Sequence, residues 1–453
     1  MKVVRPLWLL LLLGCATGPG PGEDLRAGEG SADITPPVGT ELAGFHKAPG
    51  QERRSKGVRQ PSSARVLILS TPRQEFALVS LDLCGISQEI GRAVKAEVAR
   101  EASLRPENVH LCATHTHSMP TLRRFRQWGG LPSDYAAVVS KRIVEAAVQA
   151  RRDLAPARLR LGKARVSGGN FNRTTKTWKT DDLFGKESTE QERWLDTTLQ
   201  ALVFTRGEGR RPLVWYHFSA HPVCYTDADT GPDWPGLVAD ALRSSDGISP
   251  SYLQGHCGDV NPGSGTPWLG DPQKTAEAIA SALRRAISSA RPVPTTPVRH
   301  VAGEFEVPLD LAKERALLDQ YRADPSKCTK GEWVDAGFSR EWSEVASKWD
   351  PSRTAYRTPM SALRLGDVAL LFHSGELYSA YGLALRRDSP FADTLLVGYT
   401  DDLIGYVPDP KAYEAGEYAA TVVPKIMDLP RFQPGVGRAF SETALGLLRK
   451  LAD

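Results

Sequence analysis

Six short apolar runs set the strongest limit on how this 453-residue chain can fold. They are "ARVLILS" (64–70), "EFALVSLDL" (75–83), "NVHLCAT" (108–114), "LVWYHFS" (213–219), "VALLFHS" (368–374) and "TLLVGYT" (394–400). Runs this short and this continuously apolar read as strands buried on both faces. Between them, residues 87–102, 134–152, 235–244, 272–290 and 376–387 place apolar side chains at i, i+3 and i+4, the spacing of helices with one buried face. Strands alternating with helices predict an α/β architecture, a mixed sheet core with flanking helices, in a single large domain over 30–453. The charged stretch 311–350 reads as helical excursions with a solvated face. In open α/β sheets ligands bind beyond the carboxyl ends of strands, so polar residues at strand ends are the first candidates for chemistry.

The N-terminus, "MKVVRPLWLLLLLGC", sets two basic residues before a short leucine run. That pattern predicts a signal peptide over 1–14. Its "LLGC" ending resembles a bacterial lipoprotein box, which makes Cys15 a lipidated first residue and the Gly/Pro-rich 15–29 a flexible tether. The expectation is an exported cell-envelope lipoprotein, on the periplasmic face or the outer membrane, touching the membrane through that anchor. The formal net charge is +4 and no basic block tracks a phosphate backbone, so no nucleic-acid partner is expected. Beyond Cys15 the cysteines are 84, 112, 224, 257 and 328, an odd set without zinc-ribbon spacing. Most read as small buried residues; a Cys224–Cys257 disulfide is compatible with an exported protein.

Four strand ends carry unusual chemistry: "ATHTHS", "FSAHPVCY", "LQGHCGDVNP" and "FHSGE". Along a strand, residues i and i+2 share a face, so His115 and His117 are expected to address one site together. His221, before a proline, and Glu376, where a strand gives way to a helix, add a third imidazole and a carboxylate. Histidines plus a carboxylate suit a catalytic metal, which polarises a carbonyl and activates water. Each has a plainer reading as well: core histidines satisfied by hydrogen bonds, and a carboxylate at a helix N-terminus. Asp82, ending its strand, could orient a histidine or simply cap a loop. The chain has neither G-x-S-x-G nor H-E-x-x-H, which argues against a serine-hydrolase elbow and a thermolysin-like zinc site.

The motifs in order make the chain resemble a known family. "ADITPP", "VSLDLCGIS", "THTHS", "NFNRT", "HFSAHP", "GHCGDVNP", "GE" before a helix and "GYVPDPKAY" run from residue 30 to 418. In that order they resemble the neutral/alkaline ceramidases, zinc amidases that cut the N-acyl bond of ceramide. The resemblance implies a zinc-dependent hydrolase domain using metal-activated water, with Zn2+ held by His115, His221, Glu376 and Tyr406. It implies that His117 stabilises or protonates the tetrahedral intermediate, and that Arg173 holds the oxyanion or the substrate's polar end.

Three departures bear on substrate. Where the family carries a serine in its "GD-x-S-P" loop, this chain has Asn261, which cannot act as a nucleophile but can donate a hydrogen bond. Met119 stands where the family has glycine after "HTHS". The family's longer members continue into an immunoglobulin-like domain, for which the residues after Tyr418 leave no room. The readings carried forward are cleavage of ceramide or a related N-acyl lipid, an amidase or esterase acting on another acylated substrate, and a non-catalytic ligand-binding lipoprotein.

Overall fold

The computed structural model describes residues 25–207 and 209–453. The expected signal peptide over 1–14 and the lipid-bearing Cys15 lie outside the described residues. Regular structure begins earlier than the expected boundary at residue 30. Strand β1, Arg26–Asp33, already runs through the end of the segment read as tether, and it is an interior strand. Its sequence, RAGEGSAD, has no apolar run to announce it. Glycine explains its place. A Cβ at Gly30 would sit 2.0 Å from the Ala146 carbonyl oxygen, and one at Gly28 2.3 Å from that of Ala150. Both carbonyls belong to a helix that lies directly on the strand.

Seven more strands extend this sheet: β2 (Ser63–Ser70), β3 (Glu75–Leu81), β4 (Val109–Ala113), β5 (Ala155–Arg165), β6 (Thr198–Arg206), β7 (Leu213–Phe218) and β8 (Ser251–Gln254). The order is β8-β7-β6-β5-β1-β2-β3-β4, and Arg291–Pro292 adds a ninth short strand beside β5. A second sheet holds β9 (Val298–Pro308), β10 (Ala355–Leu365), β11 (Val368–His373) and β12 (Asp393–Val397) in sequence order. The helices are α1 (Gln88–Glu101), α2 (Ser133–Arg152), α3 (Trp234–Asp246), α4 (Pro272–Ser288), α5 (Leu311–Ala323), α6 (Ala336–Ala346), α7 (Ser379–Asp388) and, at the C-terminus, α8 (Val436–Ala452). Shorter helical turns fill the loops.

The layers run helix, sheet, sheet, helix. Val94, Val98, Val139 and Ile143 from α1 and α2 pack on Val66, Ile68 and Val79 of the large sheet. Ile279 and Leu283 of α4 pack on Val203 and Val214. The opposite face of that sheet meets the small one through Leu67, Leu78, Leu161 and Leu202 against Leu363, Leu370 and Leu395. Leu385 of α7 and Phe440 and Leu448 of α8 close the far side over Leu371 and Leu396. Each such buried side chain contributes roughly 1.5–3 kcal/mol. This is the expected mixed α/β architecture.

Within these two sheets most neighbouring strands are antiparallel, but three pairs are parallel: β3 with β4, β7 with β8, and β11 with β12. A helix crosses over in each, α1, α3 and α7 respectively. The carboxyl ends of these strands release the segments 114–117, 219–221, 255–262, 374–376 and 398–402, and these segments meet.

Candidate metal centre

His115 and His117 come together, though not by strand alternation. β4 ends at Ala113, and His115 takes a left-handed backbone with φ of +66°. A non-glycine residue there carries about 1–3 kcal/mol of strain and needs outside support. The His115 amide donates to the Leu83 carbonyl at 3.0 Å, and the His117 amide to that of Pro222 at 3.0 Å. The two rings then converge, with Nε2 3.1 Å from Nε2.

Glu376 is likewise not at a helix N-terminus. It lies in a three-residue strand, Gly375–Leu377, paired in parallel with Gly405–Val407 in a register that sets Glu376 opposite Tyr406. The 255–262 loop presses against this strand at Gly258, where a Cβ would lie 2.4 Å from the Glu376 carbonyl oxygen. The end of that loop pairs with residues 170–172, bringing Asn261 opposite Phe171 and near Arg173.

The protons on the histidines decide what the centre can do. His115 Nδ1 lies 2.6 Å from the Cys84 carbonyl oxygen, and His221 Nδ1 lies 2.9 Å from that of Val260. A carbonyl only accepts, so each Nδ1 carries the hydrogen and each Nε2 presents a bare lone pair. Those two Nε2 atoms face Glu376 Oε2 at 3.5 and 3.3 Å. Neither can donate to it, and His221 Nε2 is buried with no hydrogen-bond partner. Burial holds His115 down to a pKa of about 4 and holds His117 and His221 well below the usual imidazole value, so a second proton is not supplied either. Burial raises Glu376, against the pull of His115 and Arg173.

Three electron-rich atoms thus face one another in a dry site, an arrangement unfavourable without a cation. Donors around a tetrahedral ion at about 2.0–2.1 Å stand about 3.4 Å apart, which matches. Two imidazoles and a carboxylate suit zinc or a similar transition ion, with the Nδ1 hydrogen bonds fixing each ring. His115, His221 and Glu376 therefore form a possible metal site.

Around it stand the remaining expected residues. Tyr406 bonds to Glu376, and its hydroxyl oxygen accepts from Arg173 at 2.6 Å. Arg173 also donates to the Gly258 carbonyl at 2.8 Å and to Asn261 Oδ1 at 3.2 Å. Burial works against its charge, but Tyr406 and Glu376 outweigh it and keep the guanidinium charged. Asn261 turns its amide the other way: Nδ2 donates to the Trp268 carbonyl at 2.9 Å, so it reaches the centre only through Arg173. The His117 Nδ1 faces the Gly44 backbone, where a Cβ would come within 2.4 Å, which leaves Nε2 toward the centre.

Other expectations change. Cys224 and Cys257 are both free thiols, not a disulfide: Cys224 bonds to Asp233, and Cys257 Sγ lies 3.0 Å from the Tyr399 hydroxyl. Asp82 orients no histidine; it accepts from the Ser63 amide at 2.8 Å and hydroxyl at 3.1 Å, which is loop capping. Met119 is fully buried among the core side chains under α1 and α2, not at a pocket mouth. Trp128 packs between His46 and Tyr418, Trp178 against Phe171 and Phe184 against Trp194.

Three residues near the centre escaped the sequence reading. Tyr418 lies 6.5 Å from Tyr406, ring to ring, and feels the charges of Glu376 and Arg173. Asp259 accepts from the Ser379 amide and hydroxyl, each at 2.8 Å, and from Asn172 Nδ2 at 2.7 Å, locking the 255–262 loop to α7. Tyr399 follows β12, so the same strand-end rule that flagged the histidines applies to it.

Comparisons with known proteins bear on the fold and on part of the motif series. Residues 25–231 match the model of the family described as neutral/alkaline non-lysosomal ceramidase, N-terminal. That span includes His115, His117, Arg173 and His221; Asn261, Glu376 and Tyr406 lie beyond it. A neutral ceramidase of Mycobacterium tuberculosis is 23% identical over 87% of this chain and 73% of its own length. The crystal structure of neutral ceramidase from Pseudomonas aeruginosa superposes with a TM-score of 0.71 at 18% identity, covering 94% of this chain and 75% of that one. A ceramidase complexed with C2 gives the same TM-score of 0.71, with 76% of its chain covered. The fold is shared, and the resemblance carried by the ordered motifs stands.

Proposed function

We propose that this chain, which shares the motif order and the fold of the neutral/alkaline non-lysosomal ceramidases, is a zinc-dependent amidohydrolase acting on ceramide or a related N-acyl lipid. The observation that carries this reading is the pair of unprotonated Nε2 atoms facing Glu376 Oε2 in a buried site, that of His221 without a hydrogen-bond partner. His115, His221 and Glu376 would hold the ion, with Tyr406 beside them. When bound, zinc supplies carbonyl polarisation and water activation near neutral pH.

The chain's own residues supply the rest. Arg173 is locked by Gly258, Asn261 and Tyr406 and keeps spare N–H donors for the oxygen on which negative charge develops. Its partners leave it little reorganisation at the moment of reaction. His117 Nε2, the ring atom facing the centre, would take the proton given up by the attacking water and pass it to the leaving amine. Asn261 has both ends of its amide engaged, so its part is to hold Arg173 rather than to attack the substrate. Export and anchoring on Cys15 rest on the leader sequence alone. An amide or ester of some other acylated molecule is the second reading, favoured by Asn261 in the family's serine position.

The test is fatty-acid release by the zinc-reconstituted mature protein from an N-acylsphingosine and from a matched acyl ester, with the metal-stripped protein as control. Zinc-dependent cleavage of the N-acylsphingosine supports the first reading. Cleavage of the ester alone moves the assignment to the second, and turnover undiminished by metal removal sinks the zinc mechanism.

A further inference from the structure

Tyr399 is fully buried and takes a left-handed backbone with φ of +54°; two residues on, Asp401 does the same at +61°. Non-glycine residues in that region are strained, and two so close together persist only where the surroundings fix them. The surroundings here are three strand ends. The Thr400 amide donates to the His373 carbonyl at 2.9 Å, at the end of β11. Gly398 donates to the Gln254 carbonyl at 3.0 Å, at the end of β8. At β4, the Ala113 amide donates to the Tyr399 carbonyl at 3.1 Å and the Asp401 amide to that of Leu111 at 2.9 Å. These are the strands that deliver Glu376, the 255–262 loop and His115.

The Tyr399 side chain points into the centre. Its ring stacks on His115, with centroids 4.4 Å apart and planes 30° apart. Its hydroxyl donates to Glu376 Oε2 at 3.3 Å. The single hydroxyl hydrogen is then used, so the Cys257 thiol, 3.0 Å away, is the donor to the same oxygen. One rigid side chain therefore touches two of the three candidate ligands, and they come from different sheets.

We propose that Tyr399 is the positioning residue of this centre, holding the Glu376 carboxylate and the His115 ring in mutual register so that a cation binds with little rearrangement. The inference rests on the metal-centre reading above. Partners that orient ligands in this way typically change metal affinity by about 10–100-fold.

The test uses the mature protein stripped of metal, with zinc affinity measured by chelator competition and the visible spectrum recorded with cobalt(II) in place of zinc. Tyr399→Phe keeps the stacked ring and removes the hydroxyl; it should bind zinc about tenfold more weakly, with an altered cobalt spectrum and an unchanged apo-protein Tm. Cys257→Ala removes only the thiol that meets the same hydroxyl, leaving the backbone in place, and should hold zinc within about twofold of wild type. Tyr399→Phe with wild-type affinity and spectrum overturns the proposal. Equal losses in both variants overturn it too, since they would reflect packing alone. A wild-type protein that binds neither metal overturns the metal-centre reading itself, and this inference with it.

Discussion

Histidines gather in two buried places, and the two are balanced in opposite ways. In one, His256 Nε2 lies 2.9 Å from Asp196 Oδ2, and Arg386 reaches the same oxygen at 2.5 Å. His217 donates from Nε2 to the Leu396 carbonyl at 2.8 Å and turns Nδ1 toward Arg386 at 3.5 Å. A guanidinium from α7 supplies the positive charge that pairs the buried carboxylate. In the other, His115, His221 and Glu376 meet with lone pairs inward, and Arg173 bonds to Tyr406, Gly258 and Asn261 rather than to the carboxylate. Buried histidine is thus no sign of a metal by itself. The sign is a set of acceptors whose protons are spent elsewhere and to which no positive group among the described residues bonds directly.

That contrast can be broken first at Glu376. Glu376→Gln removes the negative charge the ion needs, and amide hydrolysis should fall about a thousandfold or more in kcat/KM as several kcal/mol of electrostatic stabilisation are lost. Asp196→Asn attacks the charge-paired cluster instead. It strands Arg386, so urea unfolding should show a loss of about 3–5 kcal/mol while the folded protein keeps its zinc stoichiometry. Arg173→Lys keeps a charge but loses the planar fork; kcat/KM should drop about a hundredfold with zinc retained.

Two smaller effects sharpen the comparison. Burial lowers His373 to a pKa of about 3, with His256 close by. Its folded value lies below the unfolded one near 6.5, so its stability contribution is complete above about pH 6.5 and is lost as pH falls from there toward about 3. His373→Phe should therefore flatten the fall in stability by about 1.4 kcal/mol per pH unit across that window, read from urea midpoints between pH 7 and 4.5. Asn261→Ser should lower kcat/KM only about fivefold, the worth of one hydrogen bond to Arg173, and should not raise it.

Much of this could be read from the residues, and the remainder has physical causes. The continuously apolar strands β2, β3, β4, β7, β11 and β12 were legible because both their faces are buried. β1 was not, because close approach of α2 demands glycine where a core strand usually carries valine or isoleucine. β9, the long VRHVAGEFEVP, was missed because charged and apolar residues alternate along it. At the centre, the clustering of His115, His117, His221 and Glu376 followed from strand-end placement. The left-handed turn at His115 and the short strand at Glu376 did not, since both depend on tertiary hydrogen bonds. The outward turn of Asn261 and the insertion of Tyr399 depend on contacts with segments far away in sequence.

The most direct measurement is the zinc content of the mature protein after reconstitution and removal of loosely bound metal, for wild type and His221→Ala. The predicted result is about one zinc per wild-type chain and none in the variant, both folded by circular dichroism. Wild-type protein that remains without zinc, or a variant that holds as much as wild type, would contradict the account.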